Sequence, residues 1–176
     1  MLFTLRTILP DLLGGGLALV AQIEMDNDSA TAVVNNSMAE EYDLDLLFDA
    51  ALSNAEASYP AEMISLSGAL FGDDTNMLET NLKADGPYVL RTSTLFGAST
   101  LAYKGVLDAV KDRFDGDFYI LPSSIHETIL MKDDENADLS RLKEMVTQAN
   151  TTVVDPDEVL SDSVFHYGSD GLRRVA

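Results

Sequence analysis

The stretch DFYILPSSIHETILMK, residues 117–132, decides the fold of this chain. Its two ends, Asp117 to Leu121 and Thr128 to Lys132, are short runs of aromatic, aliphatic and β-branched residues, a composition typical of strands. Pro122 closes the first run, and the serines after it are common in turns. The segment therefore predicts two strands joined by a hairpin-like connection around Pro122.

Helical patterns lie on both sides of this pair of strands. Residues 98–114 repeat apolar side chains every three or four positions, which predicts an amphipathic helix. Residues 139–149 show the same period and predict a shorter helix, and Asp155-Pro156 is typical of a helix start. We also expect a strand at 87–94 and a short terminal strand, exposed at its edge, at 164–167.

The first half of the chain is less regular. Residues 16–25 and 31–34 predict two strands of a hairpin, separated by a polar turn cluster. Residues 38–58 predict a long helix whose apolar side carries Tyr42, Leu46, Leu47, Ala50 and Ala51. Residues 63–71 fit either a strand or a short helix.

Together these patterns predict an α+β fold. We expect a mainly antiparallel sheet of four to six strands, with two long helices and one shorter helix packed on it. A chain of 176 residues is the size of one ordinary domain, so we expect residues 1–176 to form a single domain. Any internal boundary is expected in the polar loop 72–86.

The charge of the chain is strongly negative and uneven. Residues 1–82 hold 14 acidic side chains and one basic side chain, Arg6, whereas residues 83–176 hold 16 acidic and 10 basic ones. Such a field repels nucleic acid and anionic membranes and attracts basic surfaces. We therefore expect no direct nucleic acid binding and no membrane binding, and either a basic protein partner or self-association through the strand at 164–167. Solubility alone also explains the acidity.

Cysteine is absent, which excludes disulfides, thiolate catalysis and cysteine-based metal sites. The chain is expected in the cytoplasm. An alternative is secretion, because the apolar run Leu12 to Ala21 follows Arg6 and has the outline of a signal peptide. Gly14 to Gly16 lack the residues that follow in phosphate-binding loops, so we expect no cofactor.

Three segments carry a resemblance to a known family: PYVLRTSTLFGASTLAYKGVLDAV from Pro87, DFYILPSSIHETILM from Asp117 and LKEMVTQANTTVVDPDEVLSDSVFHY from Leu142. Over roughly residues 87–167 the chain resembles an uncharacterised family of small proteins from anaerobic gut bacteria. The block LPSSIHE, residues 121–127, is the most specific part. The resemblance implies a shared domain and no assigned activity, and the first half matches only in general character.

The same block, LPSSIHE, holds the side chains that are best suited to catalysis. A nucleophilic hydroxyl needs a base within hydrogen-bond reach and a carboxylate that orients the base. Ser123 or Ser124, His126 and Glu127 supply these groups, and Ser124, His126 and Glu127 are the candidate catalytic residues. The Gly-x-Ser-x-Gly pattern of many hydrolases is missing, and the serines and histidine also suit a turn.

His126 and His166 are the two histidines of the chain, and each has an acidic neighbour in sequence, Glu127 and Asp162 respectively. Two imidazoles and a carboxylate suit a transition metal if the fold brings them together. Both residues are therefore candidate metal ligands, although the zinc-binding pattern HExxH is absent.

Two functions remain open. The first is a non-enzymatic acidic binding protein that engages a basic partner, in its most specific form by mimicking a nucleic acid backbone. The second is a small hydrolase or metal-dependent enzyme centred on His126. We favour the first, because the sequence lacks a compact catalytic constellation and a cofactor loop.

Overall fold

The computed structural model describes residues 2–7, 19–24, 31–34, 40, 42–73, 75–94, 96–122, 124–134 and 137–176. These residues form nine strands and four α-helices. The strands are β1 (Leu2–Thr7), β2 (Leu19–Glu24), β3 (Thr31–Val33), β4 (Glu62–Ser65), β5 (Pro87–Arg91), β6 (Phe118–Leu121), β7 (Glu127–Lys132), β8 (Phe165–Gly168) and β9 (Gly171–Arg174). The helices are α1 (Leu44–Ser58), α2 (Leu66–Phe71), α3 (Val106–Phe114) and α4 (Leu139–Thr152).

The predicted α+β fold is confirmed. Six strands form one antiparallel sheet in the order β4-β5-β7-β6-β8-β9. The hairpin around Pro122 is also confirmed, since β6 and β7 are neighbours and Leu121 pairs with Ile129. This hairpin occupies the centre of the sheet.

Every residue of β6 is buried, because both faces of the sheet are covered. Phe118 and Ile120 face a large core that includes Val110 and Phe114 of α3. Tyr119 and Leu121 face the opposite side, where Leu142 and Val146 of α4 pack on them. Alternation along an extended strand sends successive side chains to opposite faces, so a continuous apolar run fits a strand covered on both sides.

The helix predicted at 98–114 is wrong in its first half. A 3₁₀ helix, Gly97–Ala102, is followed by a break and then by α3. Gly105 lies in the left-handed region, with φ of 75°, which glycine adopts without steric cost and which interrupts the helix. The predicted helix start at Asp155 is likewise only a 3₁₀ helix, Pro156–Glu158, without a side-chain cap from Asp155.

The long first helix begins at Leu44 instead of residue 38, and residues 35–39 and 41 lie outside the described part. Asp43 caps α1, because its carboxylate accepts hydrogen bonds from the amides of Asp45 and Leu46. The predicted apolar side is rotated: Leu47, Ala51 and Ala55 are buried, whereas the Leu46 side chain is 68% exposed. The ambiguous segment 63–71 contains both alternatives, since β4 leads directly into α2.

A second sheet of three strands, in the order β1-β2-β3, precedes α1. The hairpin predicted for residues 16–25 and 31–34 corresponds to β2 and β3, which pair antiparallel with Gln22 opposite Val33. β1 was not predicted. Most of the apolar run Leu12 to Ala21, considered as a signal-like segment, lies outside the described residues. Ala21 packs with the buried face of α1 and with Tyr103, which joins this sheet to the rest of the fold.

The prediction that residues 164–167 form a terminal, exposed edge strand is wrong. β8 pairs with β6 on one side and with β9 on the other, so its backbone hydrogen bonds are used within the sheet. The polar segment 72–86 also contacts its surroundings. Asn76 Oδ1 accepts from the Met63 amide at 2.9 Å, and the Ala84 amide donates to the Arg113 carbonyl at 2.7 Å.

Within the described residues, no helix has both the length and the apolar character needed to cross a bilayer.

Tyr167 links β8 to α3 and gives a test of this packing. Its hydroxyl donates to Asp108 Oδ1 at 2.6 Å, and this bond, together with burial and the Asp108 charge, raises the Tyr167 pKa to about 12. Because the folded pKa lies above the ordinary value near 10, the contribution to stability is complete below about pH 10 and is lost toward about pH 12. We expect Tyr167→Phe to lower the free energy of unfolding by about 1 kcal/mol at neutral pH.

Urea titrations at a series of pH values measure this effect. The difference between wild type and Tyr167→Phe should shrink as pH rises through that range, and Asp108→Asn should reproduce most of the loss at neutral pH. An unchanged difference across the range would contradict the role given to this hydrogen bond.

Candidate functional site

The connection between β6 and β7 is anchored to two other parts of the chain. The Ile125 amide donates to the Glu158 carbonyl at 3.0 Å, and Ser124 forms an isolated β-bridge with Val159. The Ile125 carbonyl in turn accepts from the Ala98 amide at 3.2 Å. The LPSSIHE segment therefore lies between the 3₁₀ helices Gly97–Ala102 and Pro156–Glu158.

The imidazole of His126 is held at both nitrogens. Nδ1 accepts a hydrogen bond from the Phe96 amide at 3.2 Å, and Nε2 lies 3.1 Å from Glu158 Oε1. The Phe96 ring stacks on the imidazole, with 5.7 Å between ring centroids. Since Nδ1 is the acceptor, the proton belongs on Nε2, which donates to the carboxylate. Both nitrogens are thus engaged.

The predicted hydroxyl, base and carboxylate occupy different positions from those of a catalytic triad. Ser124 Oγ accepts a hydrogen bond from the backbone amide of His126 at 3.0 Å, as in a serine turn. Glu127 begins β7 opposite Arg91, and the carboxylate that contacts the His126 ring comes from Glu158 instead. Ser123 lies outside the described residues.

The second histidine, His166, lies in a separate cluster. Its Nε2 is 3.0 Å from Asp133 Oδ2, so its carboxylate partner is Asp133 and not the sequence neighbour Asp162. The strand register places His166 opposite Tyr119, which is opposite Met131. The two histidines are therefore about 16 Å apart along the strands. Among the described residues, no group of three or more side chains of the types that ligate metals is arranged to hold an ion.

An open cavity of about 810 Å³ lies beside the LPSSIHE segment, at the end of α4. Glu158, the partner of His126, is one of three carboxylate residues that line it, and none of its lining residues is basic. The lining residues are Asn150, Thr151, Thr152, Val153, Val154, Asp155, Pro156, Glu158, Val159 and Asp162. The carboxyl-terminal end of a helix carries partial negative charge, which adds to the field of the carboxylates.

Asn150 is a polar residue in the wall of this cavity. Its side chain is 8% exposed, and Nδ2 donates to the Ser161 carbonyl at 3.1 Å and to Asp162 Oδ1 at 2.6 Å. Its Oδ1 has no hydrogen-bond partner within the described part of the chain. The carboxylates give the cavity a negative charge, which favours a cationic group with hydrogen-bond donors.

Sequence reasoning found His126 and missed the residues that surround it. Glu158 is far from His126 in sequence, and no local pattern signals that the two 3₁₀ helices meet at this turn. The run VVDPDE, residues 153–158, is acidic, but its Asp-Pro pair predicts a helix start and does not indicate a cavity. A single sequence does not identify Asn150 as a cavity residue, because polar residues near helix ends are common.

Residues 10–169 match a family described as "Family of unknown function (DUF5688)". The chain belongs to this family. The matched range covers both halves, so the DUF5688 family extends well beyond the resemblance noted for residues 87–167. Comparison with curated proteins and with solved structures finds no significant match. Membership in DUF5688 assigns no activity to His126 or to the cavity.

Gly97 allows the LPSSIHE segment to approach the sheet, and this contact is testable. A Cβ at Gly97 would overlap the His126 carbonyl oxygen and lie 2.6 Å from the Thr92 nitrogen, and both are backbone atoms that cannot turn away. We expect Gly97→Ala to lower the free energy of unfolding by about 3 kcal/mol. Chemical denaturation monitored by circular dichroism measures this.

Gly72→Ala is the matched control. Gly72 has φ of 84° and open space around its Cβ position, so alanine costs only backbone strain, about 1 kcal/mol. Equal losses for the two variants would show that the close contact at His126 does not constrain the fold.

Proposed function

We propose that this protein is a non-enzymatic binding protein that engages a basic partner through its acidic surface. The cavity at the end of α4 carries the proposal, because its three carboxylate residues and a helix end favour a cationic ligand group. Lysine ammonium and arginine guanidinium groups have the charge and the donors that such a cavity suits.

The first half of the chain supports the same conclusion. Residues 7–82 contain no lysine or arginine, so their carboxylates lack cationic neighbours in sequence. On α1, Asp45 and Asp49 are both exposed and lie one turn apart, an arrangement of like charges that weakens a helix slightly. Leu46 is exposed next to them. A basic partner with some apolar surface would relieve the repulsion and cover the leucine.

The metal-ion alternative for the acidic cavity has less support. The carboxylates there are not grouped closely enough to coordinate one ion, as judged over the residues that the structure describes. An ammonium or guanidinium group tolerates longer separations, because each donor reaches a different acceptor. The proposal is therefore a side-chain cation of a protein partner.

A hydrolase or metal-dependent enzyme centred on His126 is the second candidate. It has less support, because a general base needs a free lone pair and the His126 Nδ1 already accepts from the Phe96 amide. The same carboxylate that would orient the base, Glu158, holds the other nitrogen. Ser124 faces the backbone amide of its own turn.

We infer a bacterial, cytoplasmic setting for this interaction. The resemblance to proteins of anaerobic gut bacteria and the cysteine-free composition support it. We also infer that nucleic acid is not a direct ligand, since the formal charge of −19 repels phosphates. In its most specific form, the proposal is competition with nucleic acid for a basic protein surface.

A salt-dependent binding measurement tests the proposal. An oligolysine peptide serves as the probe, and fluorescence anisotropy measures its dissociation constant. We expect binding to weaken steeply as salt rises, because the screening length falls from about 10 Å at 0.1 M to about 3 Å at 1 M. Asp155→Asn should weaken binding by roughly threefold at low salt, the range of one exposed ion pair.

Asp157→Asn is the matched control, because it removes the same charge two residues further along the chain, from a residue that does not line the cavity. It should weaken binding less than Asp155→Asn. A dissociation constant that does not change with salt would remove the basis of the proposal, and equal effects of the two variants would show that the cavity is not the binding site.

A further inference from the structure

A row of polar side chains crosses three neighbouring strands on the α4 side of the sheet. Tyr119 of β6 is paired with His166 of β8, and His166 is paired with Arg173 of β9. Paired residues in adjacent strands project to the same face, so these three side chains lie side by side. None of them belongs to the acidic cavity at the end of α4.

This row forms part of a second cavity, of about 570 Å³. Two arginines line it, Arg173 and Arg174, and they account for two of the eleven lysines and arginines of the chain. Its remaining lining residues are Asp117, Tyr119, Asp133, Leu139, His166 and Val175. Arg173 projects to the same face as His166, whereas Arg174 is paired with Phe165 and projects to the other face of the strand.

The carboxylates of this cavity already have partners. Asp117 Oδ1 lies 2.8 Å from Lys111 Nζ, and this contact holds the pKa of Asp117 below its ordinary value. Asp133 Oδ2 lies 3.0 Å from His166 Nε2, and Asp133 also receives a hydrogen bond from Tyr119. The acidic groups are therefore engaged within the protein.

The arginines, in contrast, have no partner of this kind. Neither Arg173 nor Arg174 forms a side-chain hydrogen bond or an ion pair with another of the described residues. The charge of Arg173 acts on Asp117, but no hydrogen bond to a described residue uses its planar donors, so these donors can bind an external anion.

His166 adds a buried polar group to the floor. The residue is 6% exposed, its ring packs edge-on against Tyr119 at 5.1 Å, and its Nδ1 has no hydrogen-bond partner within the described part of the chain. A buried nitrogen without a hydrogen-bond partner carries a free-energy cost. This cost argues against a purely structural role for His166.

Gly168 lies close to the Asp117 and His166 side chains of this cavity. A Cβ at Gly168 would overlap Asp117 Oδ2 and lie 3.0 Å from the His166 ring. A side chain at this position would therefore displace the Asp117 carboxylate.

We infer that this second cavity binds a small organic anion. Its carboxylate or phosphate group pairs with the Arg173 guanidinium, whose planar donors match such oxygens in a forked contact. Leu139 and Val175 provide the apolar wall for the organic part. The volume lies within the range of small-molecule sites, which is larger than a bare inorganic ion requires.

Titrations of ¹⁵N-labelled protein test this inference. The probes are phenyl phosphate and phenylacetate, with inorganic phosphate as the ion that lacks an apolar part. We expect saturable shifts of the Tyr119, His166 and Arg173 amides with at least one organic probe, and weaker binding of inorganic phosphate. The tighter organic probe identifies the preferred head group.

Arg173→Gln should weaken binding at least tenfold, whereas Arg141→Gln, which removes the same charge from an exposed position on α4, should leave it unchanged. Arg173→Lys keeps the charge but loses the planar pair of donors, so we expect its affinity to lie between those of wild type and Arg173→Gln. It replaces Arg173→Gln as the test variant if Arg173→Gln does not give a folded spectrum. Absence of saturable shifts, or equal binding by Arg173→Gln and wild type, would overturn the site. Inorganic phosphate that binds as tightly as both organic probes would overturn the organic ligand.

Discussion

The imidazole of His126 joins three segments of chain that are distant in sequence. The imidazole accepts a hydrogen bond from the amide of Phe96 and contacts the carboxylate of Glu158. The backbone amide of His126 donates to Ser124 Oγ and closes the turn. Phe96 has φ of 66°, a left-handed conformation that is costly for a phenylalanine. Its hydrogen bond and its stacking on His126 offset that cost. The turn thus fixes the central hairpin, both adjacent 3₁₀ helices and the rim of the acidic cavity.

The fold was predictable where a pattern is local. The apolar runs of β6 and β7 and the proline between them specify the central hairpin, because a strand buried on both faces needs continuous apolar residues. The break at Gly105 was not predictable, since apolar spacing continues through it and only the backbone conformation interrupts the helix. The exposed Leu46 and the pairing of β8 with β9 depend on tertiary contacts, which a single sequence does not reveal.

The candidate sites were predictable only in part. His126 and His166 were selected because histidine is rare in this chain, and both have carboxylate partners in the structure. Their partners, Glu158 and Asp133, were missed because sequence neighbours on a strand point to opposite faces, and the partners come from other elements. Negative charge was predicted to attract a basic partner. The two arginines at the second cavity were not predicted, because the sequence pattern did not indicate their strand, β9.

The central claim is that His126 stabilises a turn and leaves no free base for catalysis. The ring ¹⁵N chemical shifts of His126, observed through its ring protons at neutral pH, test this claim most directly. The hydrogen bonds predict one neutral tautomer with the proton on Nε2, and Nδ1 coupled across its hydrogen bond to the Phe96 amide. A ring with the proton on Nδ1, or one that exchanges between tautomers, would contradict the claim and return His126 to the list of candidate catalytic bases.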